Sequence, residues 1–577
     1  MRFDQLNRRF LSWSLGALLT FIFVGSAMAQ GTSAISGVVA DTQGAVIGGA
    51  TVTLTNPSTG FSRSVQSNDN GGYTFASILP DTYTLTVEKA GFKKIERSGV
   101  QALVDNPISV NFALEIGDIG ETVTVTADGI DSLVNTTDAS VGNNFQSAQI
   151  LQLPTESRNV ANLLSLQPGV TSDGYVNGGR SDQANITLDG VDVNDQQQGI
   201  AFSPVLRLMA EAVDEFRVTT SNPNASMGRS SGAQVSLLSK SGSNSFTGAA
   251  FWMPRRTFGS ANDFFNNRAG IERPNLARDV FGGAFGGPII KDKLFFLYAY
   301  EGWRENIESP VTRTVPLASL GQGILNLRNA DGSVSTLTQA QFNTVFATAG
   351  QNPAALAVLA GAAASYPAND FESGLGDNIN TAGYRFNATT PYDQNTHQLR
   401  LDWNINSSQQ AFFRLNKQHD VSIGAPAFPD TVAPQLWEHN SGLAFGHNWI
   451  IGNNMANSFR YGLSRQAFTQ GGDSSQNAIS FRFVFAPQLF QYGLSRVTPV
   501  HNFTDDFTWT KGSHTIQFGG NVRFITNKRV DNGPAYDNAV INPSYYASSG
   551  RSLLNPLVAA GYPILNSNVL NQAALLR

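Results

Sequence analysis

From about residue 246 onward the chain alternates apolar and polar side chains in runs close to the 9–11 residues of a tilted membrane-crossing strand, and this limits the fold more than any other feature. In Gln398 to Ile405, Leu399, Leu401, Trp403 and Ile405 alternate with Gln398, Arg400, Asp402 and Asn404; a polar turn over Asn406 to Gln410 leads into Ala411 to Leu415. Ser458 to Ser464 sets Phe459, Tyr461 and Leu463 against Ser458, Arg460 and Ser464. Phe507 and Trp509 precede the turn Lys511-Gly512-Ser513, after which Ile516, Phe518, Val522 and Phe524 alternate with Gln517, Asn521 and Arg523. A soluble sandwich also alternates, but strand length, aromatics near strand ends and a second face of Gln, Arg, Asp and Asn suit a barrel that is apolar outside and polar inside. The longest helix-like apolar piece, Pro353 to Ala364, is about a dozen residues, short of the roughly 20 a spanning helix needs. A membrane form of this chain must therefore be a barrel, since only helices and closed barrels satisfy every backbone group in lipid.

Export is legible at the N-terminus. Arg2, Arg8 and Arg9 precede an apolar run from about Leu15 to Val24, and Ala27-Met28-Ala29 follows. This is a signal peptide over residues 1–29 with an A-x-A cleavage site. The chain contains no cysteine, which excludes a thiolate nucleophile, a Cys-ligated metal and any disulfide framework. The net charge of −5, with no strongly basic half, gives no electrostatic footprint for nucleic acid.

Residues 31–116 read as a small β-sandwich. Ile35 to Ala40, Ala50 to Thr55, Arg63 to Ser67, Gly72 to Ala76, Thr82 to Glu88 and Ile108 to Leu114 are short strands between turn clusters such as Asp69-Asn70-Gly71-Gly72. In Thr82 to Glu88, Tyr83, Leu85 and Val87 share one face and the threonines the other, so one face packs and one meets water.

Residues 137–245 read as a compact α+β segment. Asn159 to Leu166 carries a short helical pattern that Pro168-Gly169 stops. Ile186 and Leu188, then Val191 and Val193, flank an Asp189-Gly190 turn, and Glu215 to Val218 and Ala233 to Leu237 continue as strands. Leu153-Pro154, Arg158-Asn159, Leu166 to Val170, Gly178-Gly179-Arg180, the run from Leu188 to Asp195, Glu211 to Val218, Gly228 to Gly232 and Lys240 to Asn244 stand in order along it. Together they resemble the plug domain of TonB-dependent outer-membrane receptors and transporters, most closely the Oar-like branch, in which a carboxypeptidase-regulatory-like domain precedes the plug. Gly72 to Phe75, Leu79-Pro80 and Tyr83 resemble that accessory domain, which implies no peptidase activity. Trp509 to Phe518 and Phe281 to Pro288 resemble barrel hairpins of the same branch.

The resemblance implies a mainly β protein: signal peptide, β-sandwich, linker over residues 117–136, plug, and a partial antiparallel transmembrane barrel over residues 246–577. Within the linker, Glu121, Thr122, Val123, Thr124 and Val125 resemble the TonB box, grasped by the periplasmic energy-transducing complex. Thr-Val alternation also suits a last strand of the sandwich, and the sequence leaves both open. The expected partners are that complex, outer-membrane lipid and an unknown ligand of glycan, peptide or siderophore class; no cofactor is implied. Gly178 and Gly179 permit close backbone approach, and Arg180 can pair with wall carboxylates and hold the plug, or the three form a plain surface turn. Asp189-Gly190 is expected to be a hairpin turn. Asp192 and Asp195, which with Asp189 could suggest a cation site, lack the spacing of a calcium loop.

An enzyme is not expected. Ser230 sits in a G-x-S-x-G match, but a polar loop precedes it and a strand follows, where a nucleophile elbow needs a strand and then a helix. None of the six histidines has metal-ligand spacing. Transporters of this kind have 22 strands, more than the roughly 330 residues after Asn244 supply, so an N-terminal fragment is expected. Two other readings stay open: an exported surface or adhesive β-protein, and a small outer-membrane barrel without TonB coupling.

Overall fold

The computed structural model describes residues 31–117, 122–126, 139–153, 158, 160–171, 173–196, 203–224, 227–329, 331–347, 350–472, 477–487, 493–511, 514–532, 538–541, 554–562, 573 and 575–576. The expected signal peptide and Glu121 lie outside them.

The sandwich is built from two sheets. β1 (Ser33–Asp41) sits between β4 (Gly72–Ile78) and the short β7 (Ile108–Ser109) and β8 (Phe112–Leu114); β2 (Thr51–Thr55), β3 (Ser62–Gln66), β5 (Asp81–Glu88) and β6 (Lys94–Ala102) form the second in the order β3-β2-β5-β6. Their inward residues, among them Ile35, Val52, Leu54, Phe75, Leu85 and Val87, make one apolar core. Gly37 is needed here, because a Cβ at this position would stand 1.8 Å from the Val110 carbonyl oxygen. The strand Ile108 to Leu114 is split by that same close passage, and Tyr73 donates its hydroxyl hydrogen to Val110 O at 2.6 Å.

Two differences from the sequence reading stand out. Strand β6 was not expected: Gly99 at φ +77° makes a bulge between the Tyr83 and Leu85 pairings, which breaks the period of two. The segment Thr122–Thr126, which the sequence left open between linker and last sandwich strand, is β9, the outer strand of the second sheet, paired parallel to β6 from Lys94↔Thr122 to Ser98↔Thr126.

The segment expected to form a plug, called the plug below, is a five-stranded sheet in the order β10-β13-β14-β11-β12, from β10 (Val141–Gln146), β11 (Asn185–Leu188), β12 (Val191–Asp192), β13 (Val213–Ser221) and β14 (Gln234–Ser239). The expected helix is a 3₁₀ turn over Val160–Leu166, burying Val160, Leu163 and Leu164. β11, β13 and β14 are buried on both faces, with apolar side chains packed around Phe216 and Leu164 and polar ones such as Asn185, Thr187, Glu215, Arg217 and Ser236 on the other face.

That larger sheet is antiparallel throughout. It contains β15 (Thr247–Arg256), β16 (Leu276–Ile290), β17 (Leu294–Pro316), β20 (Thr381–Asn406), β21 (Gln409–Ile423), β22 (Gln435–Glu438), β23 (Ser441–Ile451), β24 (Met455–Gly471), β26 (Leu494–Lys511), β27 (His514–Ile525) and β28 (Lys528–Asp531). The sheet is open, with β15 and β27 at its edges among the described residues. Tight turns join its strands at one end; at the other, longer segments carry β18 (Leu325–Arg328), β19 (Val334–Leu337), β25 (Ala478–Phe481), β29 (Asn538–Ile541) and the helix Pro353–Ser365, with an apolar cluster of their own. No described helix is long and apolar enough to cross a membrane.

Burial in this sheet is inverted relative to a water-soluble protein. On β20 and β21, Gln398, Arg400, Arg414, Asn416 and Asp420 are buried, while Trp403 and Leu415 are exposed. On β26, Asn502, Thr504 and Asp506 are buried while Phe503 is exposed. Exposed aliphatic and aromatic side chains on one face and buried polar ones on the other are what lipid outside and a filled lumen require.

Candidate functional site: the charged seat of the plug

The turn between β11 and β12 places the central group. Asp189 and Gly190 have φ of +52° and +79°, the double positive pattern of a tight hairpin turn that Asp-Gly adopts readily. This sets the Asp189 side chain between Ser239 at the end of β14 and the arginines of β20 and β21. Its Oδ1 accepts from Arg400 Nη1 at 3.0 Å and from the Ser239 amide at 2.9 Å; Oδ2 accepts from Ser239 Oγ at 2.8 Å and lies 2.8 Å from Arg414 Nε. Arg400 also holds Asp402 at 2.8 Å, and Arg414 Nη2 donates to the Leu188 carbonyl at 3.2 Å. Two carboxylates thus face two guanidiniums, with Asp189 and Arg414 each only 1% exposed in their side chains. Burial opposes ionisation of Asp189, but Arg400 and Arg414 outweigh it and hold its carboxyl below the usual carboxylate range.

Three further ion pairs tie plug to wall. Asp192 Oδ2 pairs with Arg523 of β27 at 2.6 Å and with the plug's own Arg229 at 3.0 Å. Arg207 pairs with Asp420 of β21 at 2.8 Å and donates to Tyr392 Oη at 3.1 Å. Arg158 joins Glu211 of the plug to Glu301 of β17, with its guanidinium 4.2 Å from the centre of the Phe251 ring. Asp195 adds a neutral contact, accepting from Gln466 Nε2 at 3.2 Å.

Asp189, Gly190, Asp192 and Asp195 are thus brought to one interface, where the aspartates meet arginines or an amide. No cluster of three or more potential ligands able to hold a metal ion occurs among the described residues. Gly178, Gly179 and Arg180 stand apart. Gly178, at φ +81°, has open space where a Cβ would point, and Arg180 is 74% exposed and pairs with Asp182 two residues away at 2.8 Å. Among the described residues Arg180 meets no wall strand, and the turn shows the local pairing of a surface turn. Arg158, Arg207, Glu211 and Glu301 were missed as site residues; Arg158 and Glu211 stood inside motifs quoted for the plug, but nothing local signals a partner 143 residues away in β17.

The sandwich grips the plug at a separate place. Glu215 of β13 accepts from the Val104 amide, Gln146 Nε2 donates to Gln101 Oε1 at 3.0 Å, and Asn144 Nδ2 donates to Val104 O at 3.3 Å. Burial pushes the Glu215 carboxyl up to about 8, with the Val104 amide offsetting part of the rise.

Comparison with known proteins fits this arrangement. Residues 238–563 match the family model described as an outer membrane beta barrel domain, and residues 34–115 match that of the carboxypeptidase regulatory-like domain. The chain is 29% identical over 295 residues to the TonB-dependent transporter Oar of Myxococcus xanthus, covering 48% of this chain and 27% of that protein. Among solved structures, the outer membrane transporter YddB from Escherichia coli aligns with TM-score 0.44 at 13% identity over 67% of this chain and 48% of that one. The siderophore receptor PirA from Acinetobacter baumannii aligns with TM-score 0.40 at 11% identity over the same shares. The chain therefore spans about a quarter of the curated relative and about half of each solved structure. The barrel-domain match locates the chain in the outer membrane.

Proposed function

Because this chain belongs to the outer membrane beta barrel domain family, we propose that it serves as a TonB-dependent, plug-gated receptor for active uptake of a large or scarce ligand. The observation that carries this reading is the buried Asp189–Arg400–Arg414 contact, which seats a separate folded sheet against the polar face of an inverted one. Such a plug blocks passage while seated. Paired charges suit a seat that must be left and regained, because each partner can be rehydrated on release, whereas an apolar seal would expose surface without compensation. Ligand binds at the long-loop end; the TonB complex engages the segment from Glu121 to Val125 at the short-turn end and pulls, using the inner-membrane proton gradient. Glycans, peptides and siderophores remain the substrate classes. Transport of this kind uses no covalent step.

The test is deletion of Glu121 to Val125, with the C-terminal domain of the host's TonB protein as probe. The deleted protein is expected to keep its outer-membrane location and lose binding to that domain. Unchanged binding contradicts the coupling and favours a barrel that works without it. A surface adhesin, the other alternative, predicts release from membranes without detergent, which the exposed apolar face of β20, β21 and β26 opposes.

A further inference from the structure

Two units lie against the inner face of the large sheet, at different heights. The plug meets the row Arg400, Arg414, Ala444 and Gly462, register partners on consecutive strands: Asp189 bonds the two arginines, Val191 packs on Ala444, and a Cβ at Gly462 would stand 2.0 Å from Val191 Cγ1. A second row, Gln410, Asn448, Ser458 and Asp506, is paired in the same way four residues nearer the short turns, about 13 Å along the strands. Asn448, Ser458 and Asp506 are buried although polar.

The sandwich lies over this lower row. Phe61, Ile78 and Tyr83 face Gln410, Asn448 and Ile450 across a gap of about 10 Å³, room for no more than one water. Strand β4 lies against β24 and β26, which carry Ser458 and Asp506. The turn between β2 and β3 sits on the short turn between β16 and β17. There Asn244 donates its amide hydrogen to the Ser58 carbonyl at 2.9 Å, and its side chain and Asp292 hold one another at 2.7 and 2.8 Å. Gly60, at φ +70°, fits closely; a Cβ there would stand 3.3 Å from the Asp292 Cβ. The buried core of the sandwich, from Ile35 to Leu114, contains no wall residue, so nothing in it has to open when the domain leaves the wall.

We propose that the sandwich is a second stopper in series with the plug: it seats on the inner face below the charged row and lifts off the short turns as one folded unit before anything released past the plug can leave. This rests on the plug-gated reading above and adds that unseating the plug alone does not open the path.

Thiol labelling tests this, because the natural chain has no cysteine to interfere. The full chain carrying Asn448→Cys, in detergent, would be reacted with a maleimide on polyethylene glycol, and Gln43→Cys, on the exposed surface of the sandwich, sets the rate for an open site. Labelling at position 448 is expected to be at least about tenfold slower than at position 43. Adding Gly60→Asp, a residue that tolerates positive φ, sets a carboxylate against Asp292 and should speed labelling at position 448 by about tenfold or more. Adding Leu85→Ala, which weakens the sandwich core without touching the wall, should leave that rate within about twofold, because lifting needs no unfolding. Equal rates at positions 448 and 43 would show that the sandwich does not cover the wall, and no acceleration by Gly60→Asp would show that this turn does not seat it; either overturns the proposal. So does an acceleration by Leu85→Ala that matches that of Gly60→Asp, since the domain would then unfold rather than lift. Gln410→Cys, across the same gap, replaces Asn448→Cys if that variant does not fold. The assay uses neither ligand nor TonB protein, so its outcome is separate from the binding test of the coupling.

Discussion

The sandwich and the plug are both small β-units, yet they are held by opposite means. In the sandwich the contacts that matter are apolar and internal: Leu54, Phe75 and Leu85 are fully buried among their own strands. In the plug a comparable apolar core around Phe216 and Leu164 sustains the sheet, but its contact with the wall adds charged pairs, through Asp189, Asp192, Arg207 and Arg158, to two small apolar patches where Met209 and Ala212 meet Leu297 and Ala299 and where Val191 meets Phe412 and Ala444. An apolar core has no second low-energy state, because opening it exposes area at about 25 cal/mol per Å². A buried ion pair is close to neutral when made or when both partners are hydrated, and costly only when one partner is lost. The comparison teaches that the sandwich rests on one apolar core, whereas the plug adds a charged seat that the proposed transport cycle would have to open and remake.

The sharpest way to break that distinction is to orphan the two arginines. Asp189→Ala leaves Arg400 and Arg414 facing each other in a buried site and is expected to cost about 3–5 kcal/mol, read as a lower midpoint in urea unfolding of the detergent-solubilised protein. A loss below about 1 kcal/mol would mean that the seat is hydrated and the pairing incidental.

Leu85→Ala probes the other region. A fully buried leucine replaced by alanine should cost about 3 kcal/mol, but in the sandwich transition alone, with binding of plug to wall unaffected. Limited proteolysis with mapping of the first cuts separates the two units; early cuts in both would show that they unfold together.

The junction between the regions should respond to pH. Glu215 titrates near 8 in the folded protein against an ordinary value of 4.5. The folded state therefore holds a proton that the unfolded state has released, so this group's contribution is fully present below about pH 4.5 and is lost as pH rises toward 8. Hydrogen exchange at Val104 is expected to quicken over that window, and Glu215→Gln to flatten the dependence. A slope of opposite sign would contradict the assignment.

The smallest effect belongs to Arg180. It is exposed and paired only locally with Asp182, so Arg180→Ala should change stability by less than about 0.5 kcal/mol. A loss of several times that would restore the wall contact that the sequence left open for it.

What the sequence showed and what it hid divide along range. Period-two alternation disclosed the inverted face of β20, where Gln398 and Arg400 point in and Trp403 points out, because a strand's two faces are written residue by residue. The Asp189-Gly190 turn was legible for the same reason: its signal is two adjacent residues. Strand β6 was hidden by a bulge at Gly99, and the parallel pairing of β9 could not be read because a crossover strand carries no local mark of its neighbour. The arginine partners of Asp189 lie 211 and 225 positions away, and only the folded register of β20 and β21 brings them together. Arg180 could not be placed because a Gly-Gly-Arg run permits close approach without requiring it.

Hydrogen–deuterium exchange on the Asp189→Ala protein, followed peptide by peptide, tests the division between the two regions most directly. Faster exchange confined to β11, β12 and β14, with the sandwich strands β2, β5 and β6 unchanged, is the predicted result. Exchange that stays at the wild-type rate in the plug, or that rises equally in plug and sandwich, would contradict a plug seated by charge beside a sandwich held by its own core.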